Sequence, residues 1–164
     1  MSYDPDRHHR RSIRLQGYDY AQAGAYFITL CTQGRARLFG RVTHGVVELT
    51  DIGRIVEEEW ARTPAARLNV ELDAYVVMPD HIHGILVITY RDDSVALLEA
   101  SSTLRSPART IGAIVRGFKG AVVRRAGMAI WQRNYHEHII RSEAALDRIR
   151  RYIVANPARW EEQR

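Results

Sequence analysis

The sequence predicts an α+β domain in which an antiparallel sheet carries helices on one face. Three observations lead there. Four segments rich in aromatic and β-branched residues read as core strands, at 25–32, 70–77, 81–90 and 131–140. Apolar residues at helical spacing fall between the first and second of these (Ile52, Ile55, Val56, Trp60) and again between the third and fourth (Ile111, Ile114, Val115, Phe118, Val122). The core order β-α-β-β-α-β is that of the split βαβ arrangement, the ferredoxin-like or RRM-like fold.

Residues 1–22 are polar and basic, with Arg7, Arg10, Arg11 and Arg14, and read as an arm ahead of a single domain over 23–162. Gly34, Gly40 and Gly45 punctuate a short hairpin from about Leu38 to Leu49. Thr50-Asp51 then offers a helix N-cap, and Thr63-Pro64 ends that helix. Met78-Pro79-Asp80 supplies a turn between the second and third core strands. The polar, Ser-rich stretch from Arg91 to Pro107 reads as a loop, and Thr110 to Arg125 as a basic amphipathic helix. Ser142 opens a last helix with the stripe Leu146, Ile149 and Ile153, closed by Asn156-Pro157.

Charge and composition narrow the function. The 164 residues carry a net charge of +5, and of 24 Lys+Arg only Lys119 is lysine. An arginine's planar fork suits phosphate oxygens and stacks on bases, so a polyanionic partner is favoured. No run approaches the roughly 18 apolar residues of a membrane helix. The first residues lack a secretory apolar core, and one cysteine excludes an internal disulfide framework and a Cys-based zinc finger. The expected location is the cytoplasm, in association with the nucleoid.

Two places could carry chemistry. His81 and His83 stand two apart at the start of a strand, so both imidazoles share a face and could fill adjacent sites on a metal ion. The strand is otherwise apolar, and the Pro-Asp turn before it is expected to put the pair at an accessible sheet edge. On the last helix, Tyr152 and Asn156 are at i, i+4, about 60–90° from the centre of the apolar stripe at 100° per residue. That places Tyr152 at the border of core and solvent, with Arg148 one turn before it. A boundary aromatic and a helix-terminal asparagine would satisfy the same pattern.

Met78-Pro-Asp-His-Ile-His-Gly-Ile-Leu86 resembles the His-hydrophobic-His (HUH) motif of the IS200/IS605-type tyrosine transposases. Trp131-Gln-Arg-Asn-Tyr-His-Glu-His-Ile-Ile-Arg141 and Tyr152-Ile-Val-Ala-Asn-Pro157 are similar to later motifs of the REP-associated branch. Arg10 to Tyr20 and Gly112 to Lys119 are similar to its start and middle helix, so the resemblance spans about residues 7 to 162. The resemblance implies a ferredoxin-like domain that cuts and rejoins single-stranded or hairpin DNA, as a monomer or a homodimer. It implies that His81 and His83 bind Mg2+ or Mn2+, that Asn156 completes the metal site, and that Tyr152 on the C-terminal helix is the nucleophile. Tyr135 is the competing tyrosine, and Tyr152 is preferred because it alone has a polar partner one helical turn on. Arg10, Arg11, Arg14, Arg116, Lys119, Arg124, Arg133 and Arg148 would contact DNA, with Tyr18, Tyr20 and Trp131 as stacking residues. His136 and His138 read as sheet or DNA-contact residues. The alternative is a non-catalytic or domesticated nucleic-acid-binding module of the same fold.

Overall fold

The computed structural model describes residues 24–67, 69–89 and 110–163. In chain order the elements are β1 (Gly24–Cys31), β2 (Gly40–Thr43), β3 (Val46–Leu49), α1 (Asp51–Ala61), α2 (Thr63–Ala66), β4 (Val70–Met78), β5 (His81–Ile88), α3 (Ile111–Ala126), β6 (His136–Ile140) and α4 (Glu143–Glu162). The expected arm, with Arg10, Arg11, Arg14, Tyr18 and Tyr20, and the expected loop from Arg91 to Pro107 lie outside the described residues.

Strands run in the order β4-β5-β1-β6, every neighbouring pair antiparallel. β5 thus lies between β1 and β4, which is the predicted split βαβ topology. One face of the sheet carries Tyr26, Ile28, Leu30, Ile82, Leu86 and Ile88. These pack with Val56 and Trp60 of α1 and Ile111, Ile114, Val115, Phe118 and Val122 of α3. Gly84 of β5 faces the same way, and a Cβ there would lie 2.3 Å from the Trp60 ring, so the missing side chain is what admits the indole. Side-chain oxygens of Thr50, Thr110 and Ser142 cap α1, α3 and α4, each accepting from a backbone N–H three residues on at 3.1 Å. Gly127, at φ 71, closes α3 in the left-handed region. The hairpin β2–β3 turns at His44 (φ 51) and Gly45 (φ 72), the signature of a type I′ turn.

α4 lies on the other face of the sheet, since Tyr152 meets Phe27 and His83, which point away from the α1/α3 core. Three further features differ from the sequence reading. The fourth core strand is shorter than 131–140. Trp131 bridges to Thr32, but pairing then lapses until His136 meets Thr29. Residues 132–135 therefore stand opposite only Leu30 and Cys31, a bulge that no alternation of residue types announces. α4 does not stop at Asn156-Pro157 but runs through the proline to Glu162. Its last turn is held from outside: the Trp160 ring lies 6.0 Å from that of His81, and Glu161 Oε2 accepts from the Gly45 N–H at 2.8 Å. Those contacts outweigh the proline's missing donor. Finally, His81 and His83 are not at a sheet edge. β5 is interior, and the two residues are only 5% and 7% exposed.

Candidate active site

The site forms where the start of β5 meets the underside of α4. Thr32 closes the Pro79-Asp80 turn by donating its N–H and hydroxyl to the Asp80 carbonyl, at 2.9 and 3.1 Å. The strand period then turns both imidazoles towards α4. Their Nε2 atoms converge to 3.1 Å. Each ring is held at its far nitrogen: His81 Nδ1 is 2.5 Å from Asp80 Oδ1, and His83 Nδ1 is 2.8 Å from the hydroxyl of Thr29. Asp80, itself buried, has its second oxygen 3.1 Å from Arg35 Nε. Phe27 stacks on His83 with ring centroids 5.3 Å apart.

Burial sets the charge state of the pair. It pulls the His83 imidazole down to about 3, helped by the neighbouring His81 and Arg35. Burial also lowers His81, against the opposing pull of Asp80. Both rings are therefore neutral near pH 7, the form in which an imidazole offers a lone pair to a metal.

The arrangement fits a divalent ion on its donor set. Two ligands at adjacent octahedral positions, each about 2.1 Å from the ion, stand about 3.0 Å apart, which matches the Nε2 separation. Outer partners on both Nδ1 atoms are the usual support of metal-bound histidine. Among the described residues no three His, Cys, Asp or Glu side chains gather round one point. Asn156, the further donor expected from the sequence, is 8% exposed on α4.

α4 brings its residues in at intervals of one turn. Tyr152 has its ring 5.4 Å from that of His83, Trp160 touches His81, and Asn156 lies between them on the same helix face. Tyr152 is 39% exposed, at the border of core and solvent. Arg159 lies over its ring at 5.8 Å, and Arg37 over the Trp160 ring at 5.5 Å. Tyr135 belongs elsewhere: it packs against the α1/α3 core, and its ring lies 5.9 Å from Lys119 Nζ.

The other basic residues distribute over both faces. Arg116, Lys119 and Arg124 are on α3, across the sheet from the histidines. Lys119 is half-buried and donates to the Gln132 carbonyl at 2.8 Å, pinning the 132–135 bulge. Arg133 is exposed in that bulge and Arg148 is exposed on α4. His136 and His138 are exposed on β6, opposite Thr29 and Phe27, on the same sheet face as His83. Sequence reasoning passed over Thr29, Asp80, Arg35, Arg37, Arg159 and Trp160. Arg159 and Trp160 fell beyond the expected helix end, although they stand seven and eight residues after Tyr152, two helical turns on. In sequence Asp80 stands out only as a turn residue, and its place directly before His81 is the available signal.

No family model matches the chain. A Haemophilus influenzae protein of no assigned function is 38% identical over 98% of this chain and 94% of its own length. A second protein of that organism, named as a REP-associated tyrosine transposase, is 27% identical over 86% of this chain and 74% of its own. The solved structure of a REP-associated tyrosine transposase bound to a REP hairpin superposes with a TM-score of 0.63 at 22% identity. That match covers 89% of this chain and 73% of the other.

Proposed function

We propose that the chain is a tyrosine transposase of the IS200/IS605-like type, a reading supported by its similarity to a REP-associated tyrosine transposase, and that it cuts and rejoins single-stranded or hairpin DNA with Tyr152 as nucleophile. The observation that carries this reading is the approach of the Tyr152 ring to His83, on the rim of a neutral, converging imidazole pair.

In the proposed step the Tyr152 oxygen attacks a backbone phosphorus. The P–O bond to the 3′ oxygen breaks and a P–O bond to tyrosine forms. The tyrosine gives up its proton and the departing 3′ oxygen gains one. The products are a 5′-phosphotyrosine and a free 3′-hydroxyl, and the reverse attack reseals the strand without ATP, since one phosphodiester replaces another. A tyrosine hydroxyl titrates near 10, so its anion needs help. The Arg159 guanidinium over the ring would place positive charge beside the attacked phosphate. Mg2+ or Mn2+, when held by His81, His83 and Asn156, would polarise a non-bridging phosphate oxygen. Arg35 and Arg37 add positive charge at the rim, where a phosphate backbone would enter. Arg10, Arg11, Arg14, Arg133 and Arg148, together with Arg116, Lys119 and Arg124 on the far face, would extend that path. The neighbour that is bound to a REP hairpin supports a hairpin substrate.

A labelled single-stranded hairpin oligonucleotide incubated with protein and Mn2+, then run under denaturing conditions, tests the reading. Wild type should yield a protein–DNA adduct carrying the 5′ phosphate. Tyr152→Phe should abolish it and Tyr135→Phe should retain it. An adduct lost only with Tyr135→Phe would transfer the role to that residue.

A further inference from the structure

The two histidines are anchored by partners of different chemistry, and the difference is informative. Asp80 turns one oxygen to His81 Nδ1 and the other to the Arg35 guanidinium, and a carboxylate in that position accepts at Nδ1. Accepting there places the His81 proton on Nδ1 and leaves Nε2 as a bare lone pair. Thr29 offers a hydroxyl to His83 Nδ1, which can either donate or accept. With Nε2 of the two rings 3.1 Å apart, two bare lone pairs would face each other at hydrogen-bond distance. That repulsion is removed when His83 carries its proton on Nε2 and donates to His81, while Thr29 donates to His83 Nδ1. A cation between the rings requires the opposite arrangement, in which His83 is protonated on Nδ1 and Thr29 accepts.

We infer that Asp80, braced by Arg35, and Thr29 are positioning residues with distinct tasks: Asp80 fixes the tautomer of His81, and Thr29 lets His83 exchange one tautomer for the other. The metal-bound half of this inference rests on the reading of the pair as a metal site, whereas the metal-free half stands on the hydrogen bonds alone. Arg35 adopts a left-handed backbone at φ 56 while its side chain spans Asp80 and the Cys31 sulfur, with Nη1 donating to Sγ at 2.8 Å. A non-glycine residue in that conformation is costly and is kept where surrounding contacts demand it.

The test is nitrogen-15 NMR of the imidazoles in the full chain, without metal and during titration with Mg2+, with Mn2+ affinity measured separately by calorimetry. Metal-free wild type should show His81 protonated on Nδ1 and His83 on Nε2, and saturating Mg2+ should move the His83 proton to Nδ1. Asp80→Ala should release His81 into a mixture of tautomers and weaken Mn2+ binding about 10- to 100-fold. Asp80→Asn, which keeps an acceptor oxygen, should recover part of both. Thr29→Val should leave His81 unchanged but weaken Mn2+ binding about tenfold, and Thr29→Ser should restore it. His81 protonated on Nε2 in wild type would overturn the inference. So would unchanged tautomers and an Mn2+ affinity within twofold of wild type in folded Asp80→Asn and Asp80→Ala. Absence of any Mg2+ or Mn2+ uptake by wild type would instead overturn the metal site and the exchange at His83, and the metal-free spectra would still decide the role of Asp80.

Discussion

Gly84 follows the two histidines, and its hydrogen side chain ties the site to the core behind it. The indole of Trp60 fills the space a Cβ would need, so Gly84→Ala forces either the ring or β5 to move. Overpacking of this kind costs about 1–3 kcal/mol, to be read as a lowered urea midpoint. Because β5 also presents His81 and His83, metal affinity should fall in the same variant. Arg159 makes a contrasting case. It is exposed and touches the Tyr152 ring, so Arg159→Ala should leave the unfolding midpoint nearly unchanged while slowing adduct formation several-fold. His83→Ala, by contrast, removes a buried ring stacked on Phe27, and its loss of stability should be measured beside its loss of activity.

Among the elements, α4 depends most on distant residues. A one-residue bulge in β4, where Asp73 and Ala74 oppose Ile85 alone, presents Asp73 to α4. There Arg150 grips both carboxylate oxygens, at 2.8 and 2.6 Å. That guanidinium holds the Asp73 carboxyl below the usual carboxylate range. The pair's contribution should therefore be complete above about pH 4 and fade as the pH falls through the lowered value. Urea unfolding of wild type and Asp73→Asn should show a gap at pH 7 that narrows at pH 3. Local signals made much of the fold legible. Thr50, Thr110 and Ser142 announced three helix starts, and the strand–helix order announced the sheet. What escaped was set by tertiary contact. Asn156-Pro157 is a sound stop signal in isolation, and only Trp160 and Glu161, engaged with His81 and Gly45, carry α4 past it. The bulge at 132–135 is likewise fixed by Lys119 reaching Gln132, from an element far away in sequence. The position of the histidines was recoverable, since the split βαβ order itself makes the third core strand an interior one. Their tyrosine partner was visible as a helical i, i+4 pair and Asp80 as the residue directly before His81, whereas Thr29 required the strand register.

At the scale of the whole chain, a net charge of +5 and exposed arginines on both faces predict binding dominated by phosphate contacts. Affinity for a single-stranded oligonucleotide should fall with salt, with a slope of about −0.7 per phosphate neutralised. A hairpin with an unpaired segment should bind more tightly than plain duplex of equal length, a comparison that fluorescence anisotropy can make directly. The layering of the molecule has a kinetic consequence. α1 and α3 share the main core with one sheet face, whereas α4 packs on the other face, where it buries Ile153 and Asn156, meets His83 and His81 through Tyr152 and Trp160, and pairs Arg150 with Asp73. Such a segment has its own opening equilibrium below the global one. Hydrogen exchange should show the amides of α4 opening at lower free energy than those of β1 and β5. If α4 does open first, the proposed nucleophile rides on it, and a DNA strand esterified to Tyr152 would move with that helix while the rest of the fold stays closed.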